Sequence, residues 1–269
     1  MRITEIKSCY VGPEISPEQF ISEHFFLYLI KGEINGYDGR NHFTLRAGEC
    51  CIVRKNHLVR YNKVKINDEF EKVVIILDKL FLKTFQEKYK AQVSKIISGE
   101  AFLILGKKKL IPEYLQSLMP YYDNEGKINP AFADIKREEL LLILMKISPE
   151  LTNILFDFGI PEKIDIEEFM NRNYKFNVSI KRFAYLTGRS LSSFKRDFKN
   201  TFGETPGRWL MKKRLQEAHF LIEKQNKKPG SIYLDLGFED LSHFSFTFRK
   251  MFGYSPRQIL KKNEPAVSR

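Results

Sequence analysis

The groups whose types and spacing can do chemistry fall into two sets: histidines and cysteines in the first part of the chain, and paired polar faces in the last third. A bound metal needs converging ligands, and His24, His42 and His57 stand apart with no His-x-His pair, so neither a metal centre nor a cofactor is expected. Cys9, Cys50 and Cys51 are odd in number and lack metal spacing, the pattern of reduced thiols in a cytoplasmic protein. Cys50-Cys51, with Arg54 as a basic neighbour, gives a thiol-sensing reading; the plainer one is an ordinary strand pair with one side chain buried and one exposed.

The second set is richer. Ser192, Lys195, Arg196, Lys199 and Asn200 lie beside Phe194, Phe198 and Phe202, and fifty residues later Ser242, Phe246, Arg249 and Lys250 lie beside Phe244, Phe248 and Phe252. Aromatics four residues apart share one side of a helix, and Leu191 or Leu241 extends each stripe by a turn. The stripe faces a core and leaves the polar set outward. Gly203 and Gly253 supply left-handed ends, and Pro206 and Pro256 prevent continuation. Before each helix stand a short apolar stretch and a glycine turn: Ile180, Phe183, Ala184 and Leu186 before Gly188, then Ile232, Leu234 and Leu236 before Gly237. A short helix, a tight turn and a second helix with a polar outer face make a helix-turn-helix unit, and the unit occurs twice.

Gly237-Phe238, Ser242-His243-Phe244-Ser245, Phe248-Arg249-Lys250 and Phe252-Gly253-Tyr254-Ser255-Pro256 closely resemble the signature of the AraC/XylS family of transcription regulators. With the first copy the resemblance covers roughly the last hundred residues. It implies an all-α DNA-binding domain with two helix-turn-helix motifs after an N-terminal cupin-like antiparallel β-barrel followed by helices, an α+β chain overall. It also implies a regulator of promoters, more often an activator that recruits RNA polymerase. Two positions depart from the family pattern: Phe246, where many members carry Arg or another polar group, and Tyr233, where Ala is usual.

The charge distribution agrees. Residues 163–269 hold 22 Lys and Arg against 11 Asp and Glu, whereas residues 1–162 hold 23 against 22. Nearly all of the +12 net charge therefore lies where the repeat lies, which points to a polyanion partner for that part. Held by the long apolar-lined helix expected from Pro206 to Gln225, the two outward faces can enter successive major grooves about 34 Å apart. Ser192, Lys195, Arg196, Ser242 and Phe246 are the candidate base contacts. Arg196 leads because a guanidinium donates two bonds to guanine O6 and N7, and Phe246 meets a thymine methyl or packs without reading. Lys199, Arg249 and Lys250 are the candidate phosphate contacts.

The preceding part reads as strands, then helices. HFFLYLI from His24, the stretch His42 to Val64, and EKVVIIL from Glu71 to Leu77 have strand character, with hairpin turns expected at Asn35-Gly36 and Asp38-Gly39. Helical spacing begins after Asp78, and Pro130 opens a helix to Ile147 whose apolar surface is too broad for one partner face. In the family a helix before the linker makes the homodimer contact, so Leu140, Leu141 and Leu144 become dimer candidates on that resemblance; burial against this chain's own strands is the other reading. The expected organisation is a regulatory domain at 1–158, a linker at 159–164 and a DNA-binding domain at 165–269. No apolar run is long enough for a membrane span, and MRITEIKSCYVGPE has no secretory leader pattern, so a cytoplasmic protein is expected. An enzyme fused to the DNA-binding module requires an activated cysteine in a motif that none of the three shows, so no enzyme is expected. Control by a small molecule and control by a protein partner both remain open.

Overall fold

The computed structural model describes residues 6–10, 19–93, 99–123 and 128–263, and divides into two compact units, Met1–Ile160 and Pro161–Arg269. The N-terminal leader reading concerns residues that lie largely outside this description.

The first unit is strand-rich, then helical. Its strands are β1 (Ile6–Tyr10), β2 (Phe20–Ile21), β3 (His24–Lys31), β4 (Glu33–Tyr37), β5 (His42–Arg46), β6 (Cys50–Val53), β7 (His57–Leu58), β8 (Arg60–Val64) and β9 (Glu71–Leu77), with β10 (Phe102–Gly106) after helix α1 (Lys79–Tyr89). They form an antiparallel five-stranded sheet in the order β1-β9-β3-β6-β10, a three-stranded sheet β5-β4-β8 and a small pair β2-β7. Alternation sorts the side chains of the large sheet. Phe26, Cys50, Ile52, Val73 and Ile75 share one core with α1, α2 (Leu110–Leu118), α3 (Pro130–Ile147) and α4 (Thr152–Leu155). Leu27, Leu29, Cys51 and Val53 share the other with Ile34 and Leu45 of the smaller sheet.

Three expectations are corrected here. Asn35-Gly36 is not a turn: both residues lie inside β4, where Asn35 faces Thr44 and Asn62, and a Cβ on Gly36 would stand 1.7 Å from the Phe43 ring. The glycine makes room for an aromatic neighbour. Cys50 and Cys51 are both fully buried, because both faces of their strand are covered. Burial pushes the Cys50 thiol up to about 11 and the Cys51 thiol further, the opposite of what thiol sensing needs. Leu140, Leu141 and Leu144 are fully buried in the core between the large sheet and the helices, so none is left to meet a second subunit. The apolar groups α3 leaves exposed are Phe132, Ile135 and Leu142.

Caps and ion pairs fix the helices of this layer. Asp78 caps α1 by accepting from the amides of Leu80 and Phe81, and the same carboxylate pairs with Arg137 of α3. Arg137 is buried over the Phe81 ring, 3.9 Å from its centroid, and also pairs with Asp134. Asn129 caps α3 in front of Pro130.

His24, at the start of β3, is buried and accepts the Lys55 amide at Nδ1 (3.2 Å). Burial first, then Lys55, Arg54 and His57, lower its pKa to about 3. Its folded pKa lies below the ordinary 6.5, so its contribution to stability is complete above about pH 6.5 and is lost progressively as pH falls toward 3. We expect the thermal midpoint of the full chain to drop across that window, by several degrees at about 2–4 °C per kcal/mol. His24→Gln, which keeps an acceptor but does not titrate, flattens the dependence. Calorimetric curves that fall in parallel for both proteins refute this role.

Candidate nucleic-acid interface

The second unit is all-α: α5 (Ile166–Asn173), α6 (Ile180–Leu186), α7 (Leu191–Phe202), α8 (Pro206–Gln225), α9 (Pro229–Ile232), α10 (Leu241–Phe252) and α11 (Pro256–Asn263). Each helix-turn-helix is set by local chemistry. Ser179 caps α6 by accepting from the Arg182 amide, and Ser190 caps α7 by accepting from the Ser193 amide. Asp240 does the same for α10 through the His243 amide (2.6 Å). Gly203 and Gly253 end α7 and α10 in the left-handed region, donating to Lys199 and Arg249 carbonyls. The first helix of the second motif is shorter than its apolar spacing suggests. It stops at Ile232, and Tyr233 to Gly237 continue as turns, with Phe238 donating to the Tyr233 carbonyl (3.0 Å).

The aromatic stripes orient both second helices. Phe194 and Phe198 are fully buried, and Phe198 and Phe202 pack on Trp209 of α8, with ring centroids 5.6 and 4.6 Å away. Phe244 and Phe248 are buried likewise, and Phe252 lies 4.8 Å from His219 of α8, whose Nε2 is 2.8 Å from the Tyr254 hydroxyl. Burying each such ring against leaving it in water is worth roughly 1.5–3 kcal/mol, so rotating either helix about its axis is costly. What remains outside is mainly polar; Leu191 and Leu241, expected to extend the buried stripes, are exposed at the first position of each helix instead. Ser192, Lys195, Arg196 and Lys199 are exposed on α7, and Ser242, Phe246, Arg249 and Lys250 on α10. Phe246 is 68% exposed, an unburied Phe on a face that is otherwise hydrophilic. The Arg196 side chain, 73% exposed, lies 3.6 Å from Asp197 and is otherwise directed to solvent.

Two arginines that the sequence reading passed over hold this arrangement. Arg214 of α8 is buried and donates from Nε to the Tyr174 carbonyl (2.7 Å), from Nη1 to Gly237 (2.9 Å) and from Nη2 to Phe176 (2.8 Å). Desolvation lowers its pKa to about 10, so it stays charged. Its signal was present: Leu210, Arg214, Ala218 and Ile222 form a four-residue stripe with a cation inside it. Lys212 and Lys213 beside it masked that position as part of a basic surface. Arg189, in the turn before α7, pairs with Asp197 (3.1 Å) and donates to the carbonyls of Ile164 (2.8 Å) and Thr187 (2.7 Å). Arg189 holds the Asp197 carboxyl below the ordinary carboxylate range. Residues expected to be linker therefore sit on the first motif, with Gly188 directly beneath Glu162 and Lys163.

Residues 24–154 match the model of the ExsA N-terminal regulatory domain, and residues 183–262 match that of a helix-turn-helix domain. The chain is similar to the HTH-type transcriptional regulator ExsA of Pseudomonas aeruginosa, 25% identical over 94% of this chain and 91% of that one. It is also similar to the virulence regulon transcriptional activator VirF of Yersinia enterocolitica, 24% identical over 86% of each. Over its last part it is 40% identical to the transcriptional activator RhaS of Escherichia fergusonii, covering 29% of this chain and 28% of that one. Among solved structures, an apo form of ToxT from Vibrio cholerae superposes with a TM-score of 0.44 at 14% identity, over 96% of this chain and 93% of that one.

A Cβ on Gly188, whose φ is +65°, would lie 2.4–2.5 Å from the Glu162 carbonyl and the Lys163 nitrogen; on Gly253, φ +83°, it would meet nothing within 4 Å. Both positions carry left-handed strain, of order 1–3 kcal/mol when alanine is forced there, but only the first adds a backbone collision. We expect Gly188→Ala to cost clearly more than Gly253→Ala in denaturant unfolding. Equal losses mean that Glu162 and Lys163 are not seated on the turn.

Proposed function

The chain belongs to the AraC/XylS family of transcription regulators, and from that premise we propose how its residues divide the work of reading a promoter. The observation that carries the proposal is the match between two capped, aromatic-anchored helices and the charge excess confined to the same part of the chain. Arg196, with Ser192 and Lys195 beside it, reads base edges from α7. Ser242 and Phe246 meet bases from α10, the Phe through apolar contact with a thymine methyl. Lys199, Arg249 and Lys250 hold phosphates and set position more than sequence. The continuous α8 keeps the two faces in one relation, suited to successive major grooves about one turn, roughly 34 Å, apart.

The regulator acts on promoter DNA in the cytoplasm, as an activator in contact with RNA polymerase, and it is not an enzyme. No helix among the described residues is long and apolar enough to cross a membrane. Among those residues no group of His, Cys, Asp or Glu is placed to hold a metal. The first unit is the regulatory part, and its state is set by an effector. It also makes the homodimer contact, through the face of α3 that carries Phe132, Ile135 and Leu142 in place of the buried leucines. Phe132 rests on the Tyr121 ring (5.0 Å), and Ile135 and Leu142 beside it are left exposed, a surface that favours a covering partner.

Three measurements test these roles. In selection of binding sites from random duplex, Arg196→Ala should relax preference at one or two base pairs, a loss of about 1–3 kcal/mol of discrimination; an unchanged consensus rules out base reading. Arg249→Ala should weaken all sequences alike and lower the slope of log affinity against log salt by about one unit. For the dimer, Ile135→Glu should shift sedimentation toward monomer without lowering the thermal midpoint, and an unchanged association constant assigns the contact elsewhere.

A further inference from the structure

The five-stranded sheet ends at β10, and a groove of about 650 Å³ lies against that end. Successive side chains of a strand point to opposite faces, so Phe102 and Ile104 belong to one side of the sheet and Leu103 and Leu105 to the other. All four line the same groove. A depression touched by both faces of an edge strand runs along the edge itself, in the place of a sixth strand. Its walls continue the two layers of the unit. Phe43, whose ring meets Phe102 at 3.6 Å, closes one side, and Leu151 closes the other. Over the strand itself the edge is little defended, since FLILG contains neither Lys nor Pro and Ile104 is 45% exposed; an irregularity between Ile104 and Gly106 and the lysines from Lys107 confine the defence to its far end.

The rim decides the partner. Among the described residues, Asp38, Glu100 and Glu150 line the groove and no Lys or Arg does, the nearest basic run in sequence being Lys107, Lys108 and Lys109 just past the end of β10. Two of these carboxylates are held in place. Asp38 accepts the amides of Arg40, Asn41 and Ala101, and Glu100 accepts the Asn41 side-chain amide (3.1 Å). The three carboxylates repel DNA. We propose that β10 is the docking edge for an extended segment of a partner protein, which adds as a sixth strand with apolar side chains on both faces and Lys or Arg at the flanks. The proposal rests on the reading of the first unit as regulatory and deepens it: the effector is a protein segment, recognised through backbone hydrogen bonds and three carboxylates.

The test uses the full-length protein and a displayed library of random peptides of about eight residues, the length of an ordinary strand. Enriched peptides should combine apolar residues with Lys or Arg. A synthetic copy followed by fluorescence anisotropy should lose at least about tenfold in affinity when alternate amides on one edge are N-methylated, a loss of about 1.4 kcal/mol or more. The doubly substituted protein Glu100→Lys, Glu150→Lys should show a similar loss while keeping its affinity for promoter DNA, because both side chains are exposed and stand in the other unit. No enriched peptide, enrichment of acidic peptides, or an N-methylated copy that binds as well as the parent each overturn strand addition. Loss of promoter binding by the unsubstituted protein would instead strike the regulator reading.

Discussion

The second unit turns on one buried guanidinium. Arg214 sits near the middle of α8 and reaches three carbonyls: two in the segment after α5, at Tyr174 and Phe176, and one in the turn before α10, at Gly237. A carbonyl buried without a donor costs about 1–3 kcal/mol, and these lie where the chain leaves regular structure and cannot pair within a helix. The planar fork of Arg serves all three from one position; a lysine offers a point charge on a flexible stem. The ion pair Lys175–Glu217 (2.8 Å) and the Asn177–Glu239 hydrogen bond (2.9 Å) fasten the same strip of chain on either side. A Cβ on Gly237 would stand 2.7 Å from the Lys175 carbonyl and 2.9 Å from Arg214 Cζ, so the glycine is what lets the turn close on the arginine. With that contact made, the second reading helix cannot shift against α8 without leaving several polar groups unpaired.

The first unit solves a different problem with a sheet buried on both sides. Its central strands are near-continuous apolar runs, and each face has its own core. Full burial on two sides leaves the sheet only its ends for contact with anything else, and one end is β10. The helical layer adds a second exposed apolar surface on α3. An edge and a helix face offer different chemistry, backbone hydrogen bonds in one case and side-chain packing in the other.

Much of this was legible in the chain because helix periodicity, caps and terminal glycines act within a few residues. The stripes Phe194-Phe198-Phe202 and Phe244-Phe248-Phe252, the terminal glycines Gly203 and Gly253, and the run from Pro206 to Gln225 are local signals, and they stand where their chemistry puts them. The misreadings share a cause, which is that the deciding neighbour is distant in sequence. Asn35-Gly36 has the composition of a hairpin turn, yet Phe43 across the pair needs the glycine's empty side. Leu140, Leu141 and Leu144 fill most of one surface of α3, but whether that surface meets a sheet of the same chain or a second subunit depends on where the sheet lies. The same holds for Cys51, whose burial follows from a second layer that no spacing announces.

The two helix-turn-helix motifs are built alike and tethered differently. At the first motif, Gly188 and Arg189 receive the segment that leads into this unit. The Glu162 carbonyl and Lys163 nitrogen pack on the glycine, the Ile164 carbonyl accepts from Arg189, and Arg189 pairs onward with Asp197 on the reading helix itself. The corresponding glycine of the second motif, Gly237, receives Lys175 and Arg214, both internal to the unit. The entering segment is therefore joined by backbone contact, hydrogen bond and ion pair to α7, whose outward face carries Arg196. The turn before α10 is held instead by Arg214 of α8. The two outward faces are thus held by different contacts, α7 through the entering segment and α10 through α8.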